Sequence, residues 1–513
     1  MPKPFDFGSV NLSAGGDPSG ARPSAETPFR LAVLGDFSGR TNRKVSDPQT
    51  IGKRRTVLVD RDNFDEVLSS FRAEIQLPIG DSGSLRLRFA ELEDFHPDRV
   101  FERLEAFGKL RDLRARLQDR STFEKAADEL GLRSAAPADA EPHPADTPRA
   151  MAPSATRLAS GSLLDEMIEQ TESRASEARP NRAPDEVREF ARRAAAKYLV
   201  STPDPRQGEI LAVMDHAIGG LMRAVLHNPD FQALEAIWRA TFLLVRQLDT
   251  SSQLQLSLID ISKEELALDL SSAADLRDTG AYGLLVEKSV ETPGADPWAI
   301  IVGNYNFGAG KEDAVLLSQM AKVARRAGAP FLAGASPQLL GCSSLASTPH
   351  PRDWNSSLDR SCWSELRHLP ESEAVGLALP RFLLRLPYGK KTSPLESFDF
   401  EEFPELPVHE DYLWGNGAFL VALLLGQSFS ESGWEMRPGT IAEIDRLPLH
   451  VYGNGESEPK PCAEALLTED AVERMIEEGL IPLVSFKNRD SVRVARFQSV
   501  AAPRHPLAGR WGQ

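Results

Sequence analysis

Residues 134–160 hold five prolines and nine alanines in 27 positions, and this stretch constrains the chain more than any other. A segment of that composition cannot bury enough apolar surface to offset the entropy of ordering it. It reads as a linker, and the chain divides around it. At about 150 residues per domain, length alone suggests roughly three domains. The patterning places a flexible arm at 1–28, a compact domain at 29–133 and the Pro/Ala linker at 134–161. A short amphipathic helix at 162–172, a large domain at 185–503 and a tail at 504–513 follow. Hydrophobic residues at 41% and charged residues at 26% exclude a fully disordered or collagen-like chain. The longest apolar run, Ala418 to Leu425, is far too short for a membrane span. The opening MPKPFDFGSV lacks the apolar core of a secretory signal. Cys342, Cys362 and Cys462 form no CxxC, which argues against a disulfide framework or a structural zinc site and fits a reducing compartment. The expectation is a cytoplasmic protein.

Within the first domain, Arg30-Leu-Ala-Val-Leu-Gly-Asp-Phe37 reads as a buried strand ending in a turn. Thr56 to Asp60 is a short apolar run. Phe64, Val67, Leu68 and Phe71 share one face of a helix over 62–71. Ala73 to Ile79 and Leu85 to Ala90 alternate and read as paired strands about Asp81-Ser-Gly83. A long amphipathic helix is expected from about Asp98, with Val100, Phe101, Leu104, Phe107, Leu110, Leu113 and Leu117 as its stripe. The arm carries a short strand at Phe5 to Leu12.

The large domain reads as α/β (α+β). Helices are expected at 185–199, 208–227 and 230–248, the last with Asn228 as N-cap and Pro229 at its first position. Strands are expected at 254–261, 283–287, 298–302 and 331–335, with a helix over 312–327 between the last two. That strand–helix–strand order favours parallel pairing. A further helix over 412–429 and late strands at 481–486 and 494–500 complete it. Ahead of this domain, Leu163, Leu164, Met167 and Ile168 fall on one helical face, with Asp165, Glu166 and Glu169 away from it. Ser162 and Asp165 resemble a capping box. The helix either docks on its own domain or lies in a partner's groove.

The net charge is −16, and its whole excess lies beyond residue 133: residues 1–133 carry 22 basic and 22 acidic side chains. An acidic body repels phosphate backbones, so nucleic acid is not an expected partner. The basic runs Lys53-Arg54-Arg55 and Arg111 to Arg120 are either solvated faces or contacts with an acidic neighbour, and the larger half of this chain is one.

A search for chemistry finds none. Gly303-Asn-Tyr-Asn-Phe-Gly-Ala-Gly-Lys-Glu312 lies between a strand and a helix, but a phosphate loop needs Lys directly after the second glycine and then Ser or Thr. Here Ala309 follows Gly308, and Glu312, which repels phosphate, follows the lysine. His409-Glu410-Asp411 reads as the start of a helix. Asp36 and Asp60 end apolar strands, where a turn or capping role is expected. Trp354, Trp363 and Trp414 read as packing residues. Catalytic, metal and cofactor-binding residues are not expected, and the chain does not read as an enzyme.

Several segments resemble the sheath subunits of bacterial type VI secretion systems. Phe29 to Gly39, Asp62 to Val67 and Glu93 to Asp98 resemble the small subunit. Leu163 to Ile168, His227 to Arg239, Ile301 to Tyr305, Ala329 to Phe331, Gly376 to Tyr388, Tyr412 to Asn416, Gly479 to Leu483 and Gln498 to Val500 resemble the large one. The resemblance covers 29–133 and 162–503 in collinear order. It identifies the chain as a small-plus-large fusion: two mixed-sheet modules joined by a flexible linker.

The resemblance implies a structural component of a contractile sheath, assembling with other sheath subunits around an inner tube protein, on a baseplate, to drive effector delivery. It implies interlocking by strand donation and disassembly by an AAA+ ATPase that recognises the helix carrying Leu163, Leu164, Met167 and Ile168. No cofactor is implied. A 27-residue linker spans roughly 30 Å, enough to hold the halves at high local concentration. The match stops after the Gln498-Ser-Val500 motif, where the family continues into further helices and interlocking strands. The alternative expectation is therefore an adaptor that binds sheath subunits or the ATPase without polymerising.

Overall fold

The structure is a computed structural model and describes residues 23–79, 83–131, 206–355, 359–453 and 458–511. The strand expected at Phe5 to Leu12, the Asp81-Ser82 turn, the linker and the helices expected at 162–172 and 185–199 lie outside the described residues. The chain forms two compact units, Met1–His96 with Leu226–Ser393 and Phe403–Gln513, and Pro97–Val225 with Pro394–Glu402.

The first unit is α/β and is organised by one nine-stranded mixed sheet. Its strands are β1 (Phe29–Gly35), β2 (Val57–Val59), β5 (Leu254–Asp260), β6 (Ile300–Phe307), β7 (Phe331–Ala335), β8 (Val375–Leu379), β11 (Glu443–Ile444), β14 (Leu480–Ser485) and β15 (Val492–Val494). The order across the sheet is β11-β15-β14-β8-β7-β6-β1-β5-β2. The six strands from β14 to β5 are parallel, and β2, β15 and β11 are antiparallel additions at the edges. β3 (Ala73–Ile79) and β4 (Gly83–Phe89) form a separate hairpin, and β9 (Phe382–Leu383) pairs with β10 (Trp414–Gly415), β12 (Val451–Tyr452) with β13 (Glu458–Pro459).

β1 is the finding that organises the rest. Its register runs Phe29 with Leu254 through Gly35 with Asp260 on one side, and Leu31 with Ile300 through Leu34 with Gly303 on the other. A strand from the first domain of the sequence thus lies inside the sheet of the large one. The expected α/β class with a mixed sheet is what forms, but the two halves build this sheet jointly. The physical reason is visible in Phe-Arg-Leu-Ala-Val-Leu-Gly, an almost unbroken apolar run suited to a strand covered on both faces.

Helices cover this sheet. In the first unit they are α1 (Phe64–Phe71), α6 (Pro229–Gln247), α7 (Lys263–Ser272), α8 (Lys311–Ala327), α9 (Ser361–Arg367), α10 (Ala418–Ser432) and α11 (Glu469–Glu477); α2 to α5 are given below with the second unit. Ala32 and Leu34 of β1 join a core with Leu316, Leu317 and Met320 of α8. Alternation turns Phe29, Leu31 and Val33 to the other face, where the Phe29 ring stacks on Phe429 of α10 at 4.6 Å. α10 is buried at every position from Ala418 to Leu425, which explains its lack of polar alternation. Asn228 caps α6 by accepting from Asp230 N and Phe231 N, with Pro229 at the first position as expected.

Four local expectations change. Residues 283–291 are π-helical, not a strand; a short Leu-Leu-Val run does not distinguish the two periods. The helix expected from Tyr412 begins at Ala418, because Trp414 and Gly415 pair with β9 and Asn416 Oδ1 accepts from Ala418 N at 3.0 Å. His409-Glu410-Asp411 is a separate short turn and does not start that helix. The last strand is Val492–Val494; by Gln498 the side chain has turned inward and donates to Ile476 O and Leu480 O.

The second unit is helical, built from α2 (Pro97–Arg103), α3 (Glu105–Gln118), α4 (Phe123–Glu129) and α5 (Gln207–Leu226). The single long helix expected from Asp98 is broken at Leu104, whose backbone is extended. Across the break the Phe101 and Phe107 rings meet at 5.3 Å. Arg114 makes a two-pronged contact with Asp215 at 2.6 and 3.2 Å, joining the basic run to the acidic half. Among the described residues no single helix is long and apolar enough to cross a membrane.

Candidate functional site

The polar chemistry of the first unit concentrates where residues 36–54 meet residues 230–265. Glu265 sits in the first turn of α7, fully buried. Ser262 caps that helix, its hydroxyl accepting from Glu265 N and its own N–H donating back to the Glu265 carboxylate. Two arginines from the first half converge on the same carboxylate. Arg54 donates through Nη2 at 2.6 Å and Nη1 at 2.9 Å, and Arg40 through Nη2 at 2.9 Å and Nε at 3.1 Å. Asp47 N adds a further bond at 2.9 Å. Burial opposes the charge, but the Arg54, Asp47 and Arg40 bonds outweigh it and hold the Glu265 carboxyl at about 2.

Asp260 ends β5 beside this group. It accepts from Phe37 N at 2.9 Å, Ser38 N at 3.2 Å and Ser38 Oγ at 2.7 Å, which ties the turn after β1 to the end of its neighbour. Burial pushes the Asp260 carboxyl up, with Asp36 adding to the effect, against the bonds from Ser38. Lys288 Nζ donates to Gly52 O at 2.6 Å and Asn42 Nδ2 to Asp230 Oδ2 at 2.7 Å. Backbones also close up: a Cβ on Gly280 would lie 2.5 Å from Gly52 N.

An apolar clamp completes the seam. Trp238 of α6 is fully buried, and its indole N–H donates to Phe37 O at 3.0 Å. Its ring takes edge contacts from Phe37 at 5.1 Å, Phe71 at 5.5 Å and Phe64 at 5.9 Å, all three from the first half. Beside it Phe89 stacks on Phe95 at 4.0 Å, and both meet Phe231. Aromatic pairs in these geometries add to their area burial.

The remaining sequence candidates take structural roles. Asp36 accepts from Arg40 N and Thr41 N, and Asp60 from Asp62 N and Asn63 N, the capping roles expected. At the glycine-rich turn, Asp313 accepts from Gly308 N at 2.6 Å and from Lys263 Nζ at 2.6 Å, so a carboxylate of the chain takes the loop amide. Trp354 and Trp363 are buried. Leu163, Leu164, Met167 and Ile168 lie outside the described residues. Glu265, Asp260 and Trp238 were not singled out from sequence. The Ser262–Glu265 capping-box spacing and the Lys53-Arg54-Arg55 run were the available signals, and Arg54 does take an acidic neighbour.

A sheet shared between two segments, locked by buried ion pairs and an aromatic clamp, defines an α/β protein whose two sequence halves are joined by an internal seam. Comparison with known proteins gives the family. Residues 208–501 match the family described as EvpB/VC_A0108, tail sheath N-terminal domain. Residues 9–130 match that described as Type VI secretion system, VipA, VC_A0107 or Hcp2. The chain belongs to the type VI secretion sheath family, with small- and large-subunit sequences on one polypeptide. It is 32% identical over 304 residues to the Type VI secretion system sheath protein TssC1 of Pseudomonas aeruginosa, covering 57% of this chain and 61% of that protein. It is 27% identical over 111 residues to the sheath protein TssB1 of the same organism, covering 20% of this chain and 62% of that one. The chain thus spans about three fifths of each relative.

Proposed function

We propose that this protein is a structural, non-enzymatic component of a type VI contractile sheath, in which the small- and large-subunit parts are delivered already paired. The observation that carries this reading is the position of β1 between β5 and β6. A strand hydrogen-bonded on both sides and buried on both faces is part of a core, not a reversible contact. One chain then supplies the small- and large-subunit parts together, with 1:1 stoichiometry and no association step between them.

In this role it assembles in the cytoplasm with other sheath subunits around an inner tube protein and on a baseplate, and the assembly drives effector delivery. Leu163, Leu164, Met167 and Ile168 serve as the recognition face for the AAA+ ATPase that disassembles the contracted sheath. The family resemblance and the apolar spacing of those residues support that assignment. Electron microscopy of the purified protein, alone and mixed with separate sheath subunits, is expected to show tubes or its incorporation into them. A particle that neither polymerises nor incorporates contradicts the sheath role and leaves an adaptor.

A further inference from the structure

The triplet His409-Glu410-Asp411 has no part in the seam, yet it sits at the centre of a second polar group. Lys460 Nζ lies 2.7 Å from His409 Nδ1, and His409 Nε2 lies 3.1 Å from Glu464 Oε1. Lysine is donor-only as the ammonium and its amine still offers hydrogens, so Nδ1 accepts; Nε2 then carries the hydrogen that Glu464 receives. The Glu464 side chain is 2% exposed. Arg381 holds the same carboxylate through Nη2 at 2.5 Å and through its backbone N at 3.1 Å. Glu464 is fixed at φ +42°, a left-handed conformation unfavourable for a non-glycine residue. Trp414 Nε1 donates to His409 O at 2.9 Å and sets the backbone of the imidazole-bearing residue.

The groups around the amine are few. Its Nζ lies 5.2 Å from the centre of the Tyr412 ring and 5.7 Å from that of Trp414. His450, whose Nδ1 is 2.7 Å from the Tyr412 hydroxyl, accepts Lys460 N through its carbonyl oxygen. Burial lowers the Lys460 pKa, and Arg381 adds to this, against the opposing pull of Glu464 and Glu410. Lys460 is half-buried, and Val408, the residue before His409, is 57% exposed.

Amine, imidazole and buried carboxylate in series form the arrangement that activates a nucleophile. We propose that Lys460 is an activated amine and a preferred acceptor of an acyl group from a small neutral thioester. The neighbouring carboxylates Glu410 and Glu464 disfavour a phosphorylated donor, and the apolar Val408 suits an uncharged one. In the step, the lone pair of neutral Nζ attacks the thioester carbonyl carbon. A C–N bond forms, and the C–S bond breaks with its electron pair leaving on sulfur. The Nζ proton passes to His409 Nδ1, where Glu464 stabilises the imidazolium, and from there to the thiolate. The products are an amide and a free thiol.

The test uses the full chain with N,S-diacetylcysteamine and maps acetylation by peptide mass spectrometry. Lys460 is expected to react about a hundredfold faster than the exposed Lys125 and Lys391, at the low end of what a positioned base contributes. Equal or slower labelling overturns the proposal without any variant. In H409N the amide oxygen still accepts from Lys460 but cannot take its proton. The variant is expected to bring Lys460 down to the rate of Lys391 and to move its pH–rate profile upward, with Lys391 unchanged. A fast Lys460 whose rate and pH profile survive H409N also overturns it.

Discussion

Arg54 and Glu265 meet at 2.6 Å, one from each half of the chain, with the carboxylate fully buried and the guanidinium nearly so. Arg40 shares that carboxylate at 2.9 Å. Replacing Glu265 by Gln preserves its shape but leaves two part-buried arginines without their counter-charge. Breaking a buried pair from one side typically costs about 3–5 kcal/mol. Urea denaturation of E265Q is expected to show a loss of this size, and a loss below about 1 kcal/mol would remove the ion pair as a major support of the seam.

The same group sets a pH dependence. The folded-state pKa of Glu265 is depressed from an ordinary 4.5 to about 2, and that of Glu464 likewise. A depressed carboxylate adds stability that is fully present above its unfolded pKa and is lost as pH falls through the folded one. Unfolding free energy is therefore expected to fall as pH drops from about 4.5 towards about 2. E265Q should lose less than wild type over that window. Equal losses would mean that Glu265 is not depressed.

Trp238 has two separable roles. W238F keeps a ring against Phe37, Phe64 and Phe71 but strips Phe37 O of its donor, which costs about 1–3 kcal/mol for a buried group. W238A also loses the clamp, at about 3–5 kcal/mol. The two variants compared by denaturation should separate in that order; equal effects would place the whole contribution in the hydrogen bond.

Gly280 is required by a close backbone approach. Its φ is unremarkable, but a methyl group there would lie 2.5 Å from Gly52 N and 2.9 Å from Ile51 Cβ. Neither atom is the end of a flexible side chain. G280A is expected to destabilise by about 1–3 kcal/mol through overpacking, against little effect for the exposed Gly310→Ser control, where φ is −67° and a Cβ meets nothing within 4 Å, read as a shift in thermal midpoint.

Much of this fold is legible locally. The apolar run of β1, the Asn228-Pro229 start of α6 and the strand–helix–strand order of β6, α8 and β7 all follow from period and capping. What is not legible is partnership. Leu31 aligns with Leu256 and with Ile300, over two hundred residues away, and nothing in a seven-residue apolar run states which strands will flank it. The Glu265 cluster is hidden for the same reason. A capping box and a basic run are each visible, and only the register of β1 on β5 brings them together. Residues 283–287 misread as a strand because four apolar or small residues fit either period.

The proposed ATPase contact makes a prediction of its own. Leu164→Asp or Ile168→Asp puts a charge on the apolar face, and a buried unpaired carboxylate is costly. Either variant is expected to abolish binding to the disassembly ATPase in a pull-down or titration, with tube formation preserved. Unchanged affinity would take these residues out of the interaction.

The account rests on the two halves forming one folded body. A protease site placed within 134–160 and cut in the native protein tests this most directly, with the two fragments followed by size-exclusion chromatography. Because β1 is paired with β5 along its length and with β6 over Leu31–Leu34, the fragments are expected to co-elute as one particle at the mass of the intact chain and to separate only in denaturant. Fragments that part in native buffer after cleavage would contradict it.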